Sequence, residues 1–578
     1  MGTPLVESNG LVLTKPGEIA NHFNEFYVGK VSKLRQDMTI TDNSKANDCI
    51  KKIIMKDKLC EFKFLQIEVS EVERLLRSLP DSKTAGLDNL DGKVLRLTAG
   101  IIASPICHII NRSLEVGLCP KRWKEAKVIP LPKDTKAVFN ERNSRPISIL
   151  SVLSKIMERL VYLQIQAYFT SNNLLTNFQH AYRAGHSTST ALIQMTDDWL
   201  KAIDNSMLVG AVLLDFSAAF DVLDHLLLVE KLKCYGFNSS ALKWIMSYLS
   251  SRSQKVYLNG SLSSNRGLES GVPQGSCLGP LLFSVFTNDL PWATKSATTV
   301  LFADDSTLYC SAKSCDELNE VLSRELNVVH DWAACNRLVL NISKTKCIVL
   351  GTRHRLSTSP KLDLNLCSLA VQQVESTKLL GVMLDCTLSW SKHIDYILLK
   401  MGRAIGVSRK CASFVARPLL RRIVQSLVLC HLDYCSMVWS SANSGDLRKL
   451  QVVQNRAARL VLGCSPKSNV SRMHACLSWL TVENRLKCNT LVLFKSVMTA
   501  KMPVFIHEQI VFSNTMHNHY TRGSSNGQLE LATSKNKNNA LMRSFIFRSL
   551  SLWNNLPLTL CILSKLSFKR TLKVYLTL

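Results

Sequence analysis

The chain is poor in acid. Against 71 Lys and Arg it carries 44 Asp and Glu, a formal net charge of +27 over 578 residues. Solubility does not need that much positive charge, and a polyanionic partner, nucleic acid first, accounts for it. No run of about 18 apolar residues occurs, so a membrane-spanning helix is not expected. The N-terminal stretch holds Lys15, Glu18, Glu25 and Lys30 without a continuous apolar core, so a secretory signal is not expected either. The 19 cysteines contain no C-x-x-C pair. Cys464, His474, Cys476 and Cys488 come nearest to a zinc cluster, but their spacings fit no standard finger, which favours free core thiols in a reduced compartment. Internal repeats and long low-complexity tracts are also missing, which argues against a solenoid.

What is present is a long globular chain, 46% apolar, too large for one core. Ile19 to Tyr27 reads as an amphipathic helix, Thr39 to Asn47 as a loop, and Glu68 to Leu79 as a helix stopped by Pro80. Loops are expected to dominate from Ser82 to Leu150, apart from a strand that ends in Pro130-Leu131-Pro132. Pro146 pushes Arg145 toward extended geometry. Helices are expected over Ser154 to Phe169, Ser217 to Lys233, Leu278 to Leu290 and Asp316 to Ala334. Strands are expected at Met207 to Asp215 and Ser253 to Gly260, and a hairpin at Thr298 to Tyr309 with an Asp pair at its tip. Leu338 to Asn341 and Cys347 to Leu350 flank a Lys-rich turn. Beyond about residue 395 the chain reads as mostly helical with basic faces, interrupted by a polar stretch over 514–540 and closed by a basic cap from Met542.

Three segments carry chemistry. Leu213-Leu214-Asp215-Phe216 and Leu301-Phe302-Ala303-Asp304-Asp305 each bring an Asp to the end of an apolar strand. Between them, Gly271-Val272-Pro273-Gln274-Gly275-Ser276 is a loop able to hold a flat ligand. Each motif has a plainer reading alone: a cap for Asp215 or Asp221, a solvated turn for Asp304-Asp305, an ordinary turn around Gln274. Together, carboxylates from two strand ends can bind a pair of divalent cations, and such a pair can clamp an attacking 3′ hydroxyl and a nucleoside triphosphate.

In these segments the chain resembles the reverse transcriptases of LINE-type, jockey-like non-LTR retrotransposons. The resemblance runs from about residue 80 to the C-terminus and includes Gln454-Asn455-Arg456-Ala457-Ala458-Arg459 and Leu552-Trp553-Asn554-Asn555-Leu556-Pro557. It implies an α+β right-hand polymerase, with fingers, palm, helical thumb and a basic C-terminal region. The expected segments are an N-terminal extension over 1–79, fingers and palm over 80–385 (core about 114–385), thumb over 386–470, and a basic region over 471–578.

The resemblance also assigns roles. Asp215 and Asp304 would be direct ligands of two Mg²⁺ ions, with Mn²⁺ as an alternative, and Asp305 would support them. Lys344 would protonate the leaving pyrophosphate or neutralise its charge, with Lys346 competing for the role. Phe216, Gln274 and Gly275 would line the nucleotide pocket, Phe220 would lie under the sugar and exclude a 2′ hydroxyl, and Arg145 and Arg183 would hold phosphates. Lys83, Lys133, Gly381, Trp390, His393, Arg456 and Arg459 would meet nucleic acid, Gly381 within a segment that grips the primer end. Two departures stand out: Gln179-His180-Ala181-Tyr182-Arg183 replaces the usual Gln-x-Gly-Phe-Arg, and Ser144 stands where Tyr is usual. Both keep the Arg.

The implied partners are template RNA, a DNA primer or target, and deoxynucleoside triphosphates, in an intracellular location, nucleus or cytoplasm, without a membrane. Nothing in the sequence sets an oligomeric state. About 80 residues precede the fingers, so an N-terminal endonuclease is not expected. Two other classes compete: a catalytically silent RNA- or DNA-binding copy, and a helical scaffold, which +27 disfavours.

Overall fold

The computed structural model describes residues 7–8, 11–36, 61–81, 84–134, 137–512, 529–531 and 539–577. The loop expected at Thr39 to Asn47, Lys83, and most of 514–540 lie outside them.

In chain order the elements that position the site begin with helix α1 (Pro16–Gln36) and helix α2 (Val69–Arg77), the latter capped by reciprocal bonds between Glu68 and Glu71. Helix α3 (Ala99–Val116) follows. It corrects the expectation of loops there. Pro105 lies inside the helix, and an interior Pro costs about 3 kcal/mol. Burial of Ala99, Ala103, Ile106, Cys107, Ile110 and Leu114, spaced three or four apart, offsets that cost. Strands β1 (Glu125–Pro132) and β2 (Ser144–Leu150), helices α4 (Val152–Ser171) and α5 (Thr188–Asp204), and strand β3 (Leu208–Leu214) come next. The helix expected over Ser217 to Lys233 is two, α6 (Ala219–Val222) and α7 (His225–Cys234), because Asp224 turns out to be the cap of α7. Strand β4 (Arg252–Leu258) precedes α8 (Gly279–Phe286), which stops four residues short of the expected end. Strands β5 (Thr298–Phe302) and β6 (Asp305–Ala312), helix α9 (Cys315–Cys335), and strands β7 (Lys346–Leu350), β8 (Ser376–Leu379) and β9 (Val382–Asp385) lead to α10 (Ser391–Cys411) and α11 (Ser444–Leu462).

The chain divides into two compact units. One comprises Met1–Thr176, Asp215–Lys295 and Leu326–Asn341. Its sheet has the order β2-β1-β4, with β1 antiparallel to β2 and parallel to β4. Ile19, Ala20, Phe23 and Tyr27 of α1 pack on Ala126, Val128, Leu150, Val256 and Leu258 of this sheet. Asn24 of α1 is buried and exchanges bonds with Gln254 and Ser263. A buried ion pair ties α7 to the chain beyond α8. Lys231 Nζ lies 2.7 Å from Asp289 Oδ1 and donates to the Phe286 carbonyl at 2.6 Å, while Trp332 Nε1 donates to Asp289 Oδ2 at 3.1 Å.

The other unit comprises Asn177–Leu214, Ser296–Glu325 and Ile342–Leu578. Its five-stranded sheet places β3 in the middle, between β7 and β6, with β5 outside β6. All of β3 but Leu213 is buried. Trp199 of α5, Val209, Ala211, Ile348 and Trp439 belong to one core that continues into the helical region. His180 is buried beside α5, bonded to Thr190 and Gln194 at 3.0 and 2.6 Å, and burial pushes its pKa down to about 3. Cys464 and Cys476 are exposed, Cys488 is buried, and His474 bonds Asn455, so these side chains form no metal cluster. No helix among the described residues is long and apolar enough to cross a membrane.

Two outcomes are expected. Asp289→Ala should cost about 3–5 kcal/mol in chemical unfolding by stranding a buried ammonium, while Lys231→Met with Asp289→Leu recovers most of it. His180 is held neutral, so its contribution is full above an unfolded pKa near 6.5 and is lost as pH falls toward 3. The unfolding free-energy gap between wild type and His180→Leu should therefore shrink as pH drops from 7 to 4.

Candidate active site

One end of the β3 sheet carries Asp304, Asp305 and Lys344 and the strand end that leads into Asp215. β3 stops at Leu214, which faces Ser306 of β6, and Asp215 is the next residue of the chain. At the same end β5 turns into β6, and β7 begins with Lys346 opposite Leu213. Asp305 pairs with Phe302, so the turn consists of Ala303 and Asp304. This corrects the expectation of both acids at the tip: Asp304 is in the turn and Asp305 opens the strand, both exposed. Ala303 takes a left-handed φ of 58°. Its N–H donates to Gln179 Oε1 at 3.3 Å, and the Ala181 N–H donates to the same oxygen at 3.0 Å. Phe178 and His180 exchange backbone bonds with Leu301, so this segment runs along β5. The Gln-His-Ala-Tyr-Arg departure thus keeps a working buttress for the turn. Burial, with the negative charge of Asp304 added to it, raises the Tyr182 hydroxyl. Lys344 lies exposed in the turn two residues before β7.

In the other unit, backbone bonds hold the remaining motifs. The Asn341 N–H donates to the Asp215 carbonyl at 2.7 Å and the Ser217 N–H to the Val339 carbonyl at 2.8 Å, with Phe216 buried beside Leu340. Asp215 is half-buried. Phe220 stacks on Phe283, ring centroids 4.3 Å apart. Its carbonyl accepts from the Val272 N–H at 2.9 Å, and the Gln274 carbonyl accepts from the Ser148 N–H at 2.7 Å. Two glycines permit this closeness. A Cβ on Gly271 would sit 2.4 Å from the Asp221 carbonyl oxygen, and one on Gly275 would sit 2.5 Å from that of Ser148. Gln274 Nε2 donates to both carboxylate oxygens of Asp221, at 2.8 and 3.0 Å. Behind the loop, fully buried Glu158 accepts from the Cys277 N–H at 2.6 Å and from Tyr248, and burial raises its carboxyl. Asp221 and Glu158 escaped the sequence reading as partners of this loop, because Gln274 is 53 residues from Asp221 and Cys277 is 119 from Glu158.

The fingers cations are placed differently from one another. Arg145 is exposed on β2 opposite Leu131. Ser144, the departure beside it, bonds the Tyr27 hydroxyl at 2.6 Å, so a tyrosine hydroxyl is still present, delivered by α1. Lys133 is exposed and donates to the Arg142 carbonyl. Arg183 is half-buried, which lowers its pKa.

Downstream, Leu380 and Gly381 close the β8–β9 hairpin, and Tyr434 donates to the Leu380 carbonyl at 2.8 Å. Asp385 accepts from the Thr387, Ser389 and Trp390 N–H groups, which holds its carboxyl below the usual range. Trp390 is only 1% exposed and donates to Ser441. It is a packing residue under the hairpin, which corrects its assignment to nucleic acid. His393 is also buried, accepts from the Met383 N–H at 3.3 Å, and is pushed down to about 4 by burial. It reaches a cavity of about 230 Å³ lined by Lys378, Tyr396, Lys400 and His431. On α11, Arg456 is exposed and Arg459 half-buried, three residues apart on one face.

Among the described residues no group of three or more His, Cys, Asp or Glu side chains is spaced to hold a metal ion. Mg²⁺ needs only one or two carboxylates when phosphates and water supply the rest. Oxygen-only donors at the sheet end suit such an ion.

Residues 131–384 match the family described as reverse transcriptase (RNA-dependent DNA polymerase). Over 438 residues the chain is 30% identical to the probable RNA-directed DNA polymerase from transposon BS of Drosophila melanogaster, covering 73% of this chain and 48% of that one. Over 409 residues it is 29% identical to the RNA-directed DNA polymerase from mobile element jockey of the same fly, covering 69% and 44%. It is 26% identical over 406 residues to the Pol polyprotein from type-1 retrotransposable element R1 of Bradysia coprophila, covering 69% and 39%. The chain spans about half the length of the first two relatives. Residues 131–384 thus carry a reverse transcriptase domain similar to those of the jockey- and R1-type non-LTR retrotransposons, and the mixed α and β architecture is consistent with a right-hand polymerase.

Proposed function

We propose that the chain is an RNA-directed DNA polymerase that adds deoxynucleotides to a primer 3′ hydroxyl, with release of pyrophosphate, in the copying of a retrotransposon. The observation that carries this reading is the sheet end where Leu214 leads into Asp215, the Asp304 turn lies alongside, and Lys344 precedes β7. The family depends on divalent metal. Asp215 and Asp304 would hold two Mg²⁺ ions, or Mn²⁺ in their place, with Asp305 in support. Bound there, the ions would supply Lewis acidity toward the 3′ hydroxyl and the phosphates.

The chain's own residues do the rest. Lys344, with Lys346 as its competitor, stands where a cation can neutralise or protonate departing pyrophosphate. Phe220, fixed against Phe283, gives the sugar a hard floor. Phe216 backs that floor, while Gln274 and the open backbone at Gly275 line the nucleotide. Arg145 and Arg183, with Lys83 and Lys133, hold triphosphate and template backbone, and the Gly381 hairpin with Arg456 and Arg459 grips the duplex. His393 serves this grip from beneath the hairpin. Such backbone contacts make binding fall steeply with salt.

The test is extension of a DNA primer on an RNA template with Mg²⁺ and deoxynucleotides. Asp304→Ala should cut extension by more than about 100-fold, beyond the 10–100-fold loss typical of an outer-shell partner, with duplex binding at low salt unchanged. Tight binding by wild type without any extension would indicate a silent nucleic-acid binder. In the same assay Phe220→Ala should raise the use of ribonucleotides relative to deoxynucleotides.

A further inference from the structure

We propose that Asp221 is a positioning residue that fixes which end of the Gln274 side-chain amide meets the incoming nucleotide. The proposal rests on the polymerase reading and deepens it, since the family resemblance singled out Gln274 and left Asp221 as a helix cap. The carboxylate of Asp221 takes the Gln274 Nε2 group on both oxygens, at 2.8 and 3.0 Å. An ionised carboxylate only accepts hydrogen bonds, and bonds to it are stronger than neutral ones. The two ends of an amide are alike in shape, and the torsion that exchanges them is soft and roughly two-fold. Against a carboxylate they are not equivalent: nitrogen is held and oxygen is repelled. Asp221 therefore commits the nitrogen, and Oε1 is left as the acceptor for a donor on the ligand.

The pair is not needed to hold the loop. The Gly271 N–H donates to the Leu223 carbonyl at 2.8 Å, the Val272 N–H to Phe220, and the Ser148 N–H to Gln274. His225 Nε2 bonds the Gly271 carbonyl at 2.8 Å, and Ser270 Oγ donates to the Asp221 carbonyl at 3.0 Å. Asp224, which caps α7, is itself held by Arg35 and Arg337. With the backbone secured by these bonds, the distinct effect of the Asp221 carboxylate falls on the orientation of one amide. The acid sits on α6 directly after Phe220, so the sugar floor and the amide orientation come from adjacent residues.

Single-nucleotide incorporation by the full chain decides the matter, with wild type, Asp221→Ala, Asp221→Asn, Gln274→Ala and the Asp221→Ala/Gln274→Ala double variant. Asp221→Ala should raise KM for the deoxynucleotide by about tenfold or more, the scale of a lost charged hydrogen bond, with kcat, primer–template affinity and thermal midpoint little moved. Asp221→Asn, which is isosteric and accepts either end of the amide, should fall between. The double variant should be no worse than Gln274→Ala alone. Multiplying effects in the double variant, or parallel losses of affinity and thermal midpoint in Asp221→Asn, would overturn the proposal while the polymerase reading stands. A wild type that extends nothing would overturn both.

Discussion

Strand β3 is held on both edges, by β6 on one side and β7 on the other, and is buried almost throughout. That constraint orders everything else at the sheet end. A strand with two partners and packed faces cannot shift register without turning its side chains to the wrong face, so the residue that follows it leaves from a fixed point. Asp215 is that residue. The same ladder sets the Ala303-Asp304 turn and the start of β7, because Ser306 and Lys346 are fixed against Leu214 and Leu213. In the proposed reading such anchors would position each carboxylate before an ion arrives, which is what metal-assisted transfer requires of a protein.

The other unit solves a different problem, bringing backbone close to backbone at the Gln274 loop. Gly271 and Gly275 allow contacts with Asp221 and Ser148 that any side chain would block. The helices that flank this loop, α7 and α8, are tied by Lys231 and Asp289. Buried charge is an expensive way to hold two helices, but it is unforgiving of displacement. Asp221 takes the Gln274 amide and Glu158 the Cys277 N–H, while Asp224 caps α7 between Arg35 and Arg337. In a chain with 44 acids against 71 bases, several acids thus act as internal ties.

The elements legible in the sequence were those whose cause is local. β3 is a continuous apolar run, β5 and β6 form a hairpin, and α9 has a clean helical period. The loops expected from local punctuation gave way at α3 to a helix whose apolar face is buried, so such punctuation misled there. It also missed the break at Asp224, a cap that shows itself only when α7 is seen to start there. Among the candidate residues, Asp215, Asp304, Gln274 and Phe220 were singled out by the motifs that carry them. Trp390 was not, because its burial follows from Asp385 turning the chain inward under the hairpin. Asp221, Gln179 and Glu158 were illegible as partners for one reason: each bonds a backbone or side-chain group 53 to 124 residues away.

The central claim is that Asp215 and Asp304 share bound metal. Fe²⁺ substituted for Mg²⁺ in the complex with primer–template and a nucleotide, then given peroxide and ascorbate, cuts the backbone beside the ion. The account predicts two clusters of cuts, near Asp215 and near Asp304, both lost in Asp304→Asn. Cuts confined to other parts of the chain, or cuts at both places that survive the substitution, would contradict it.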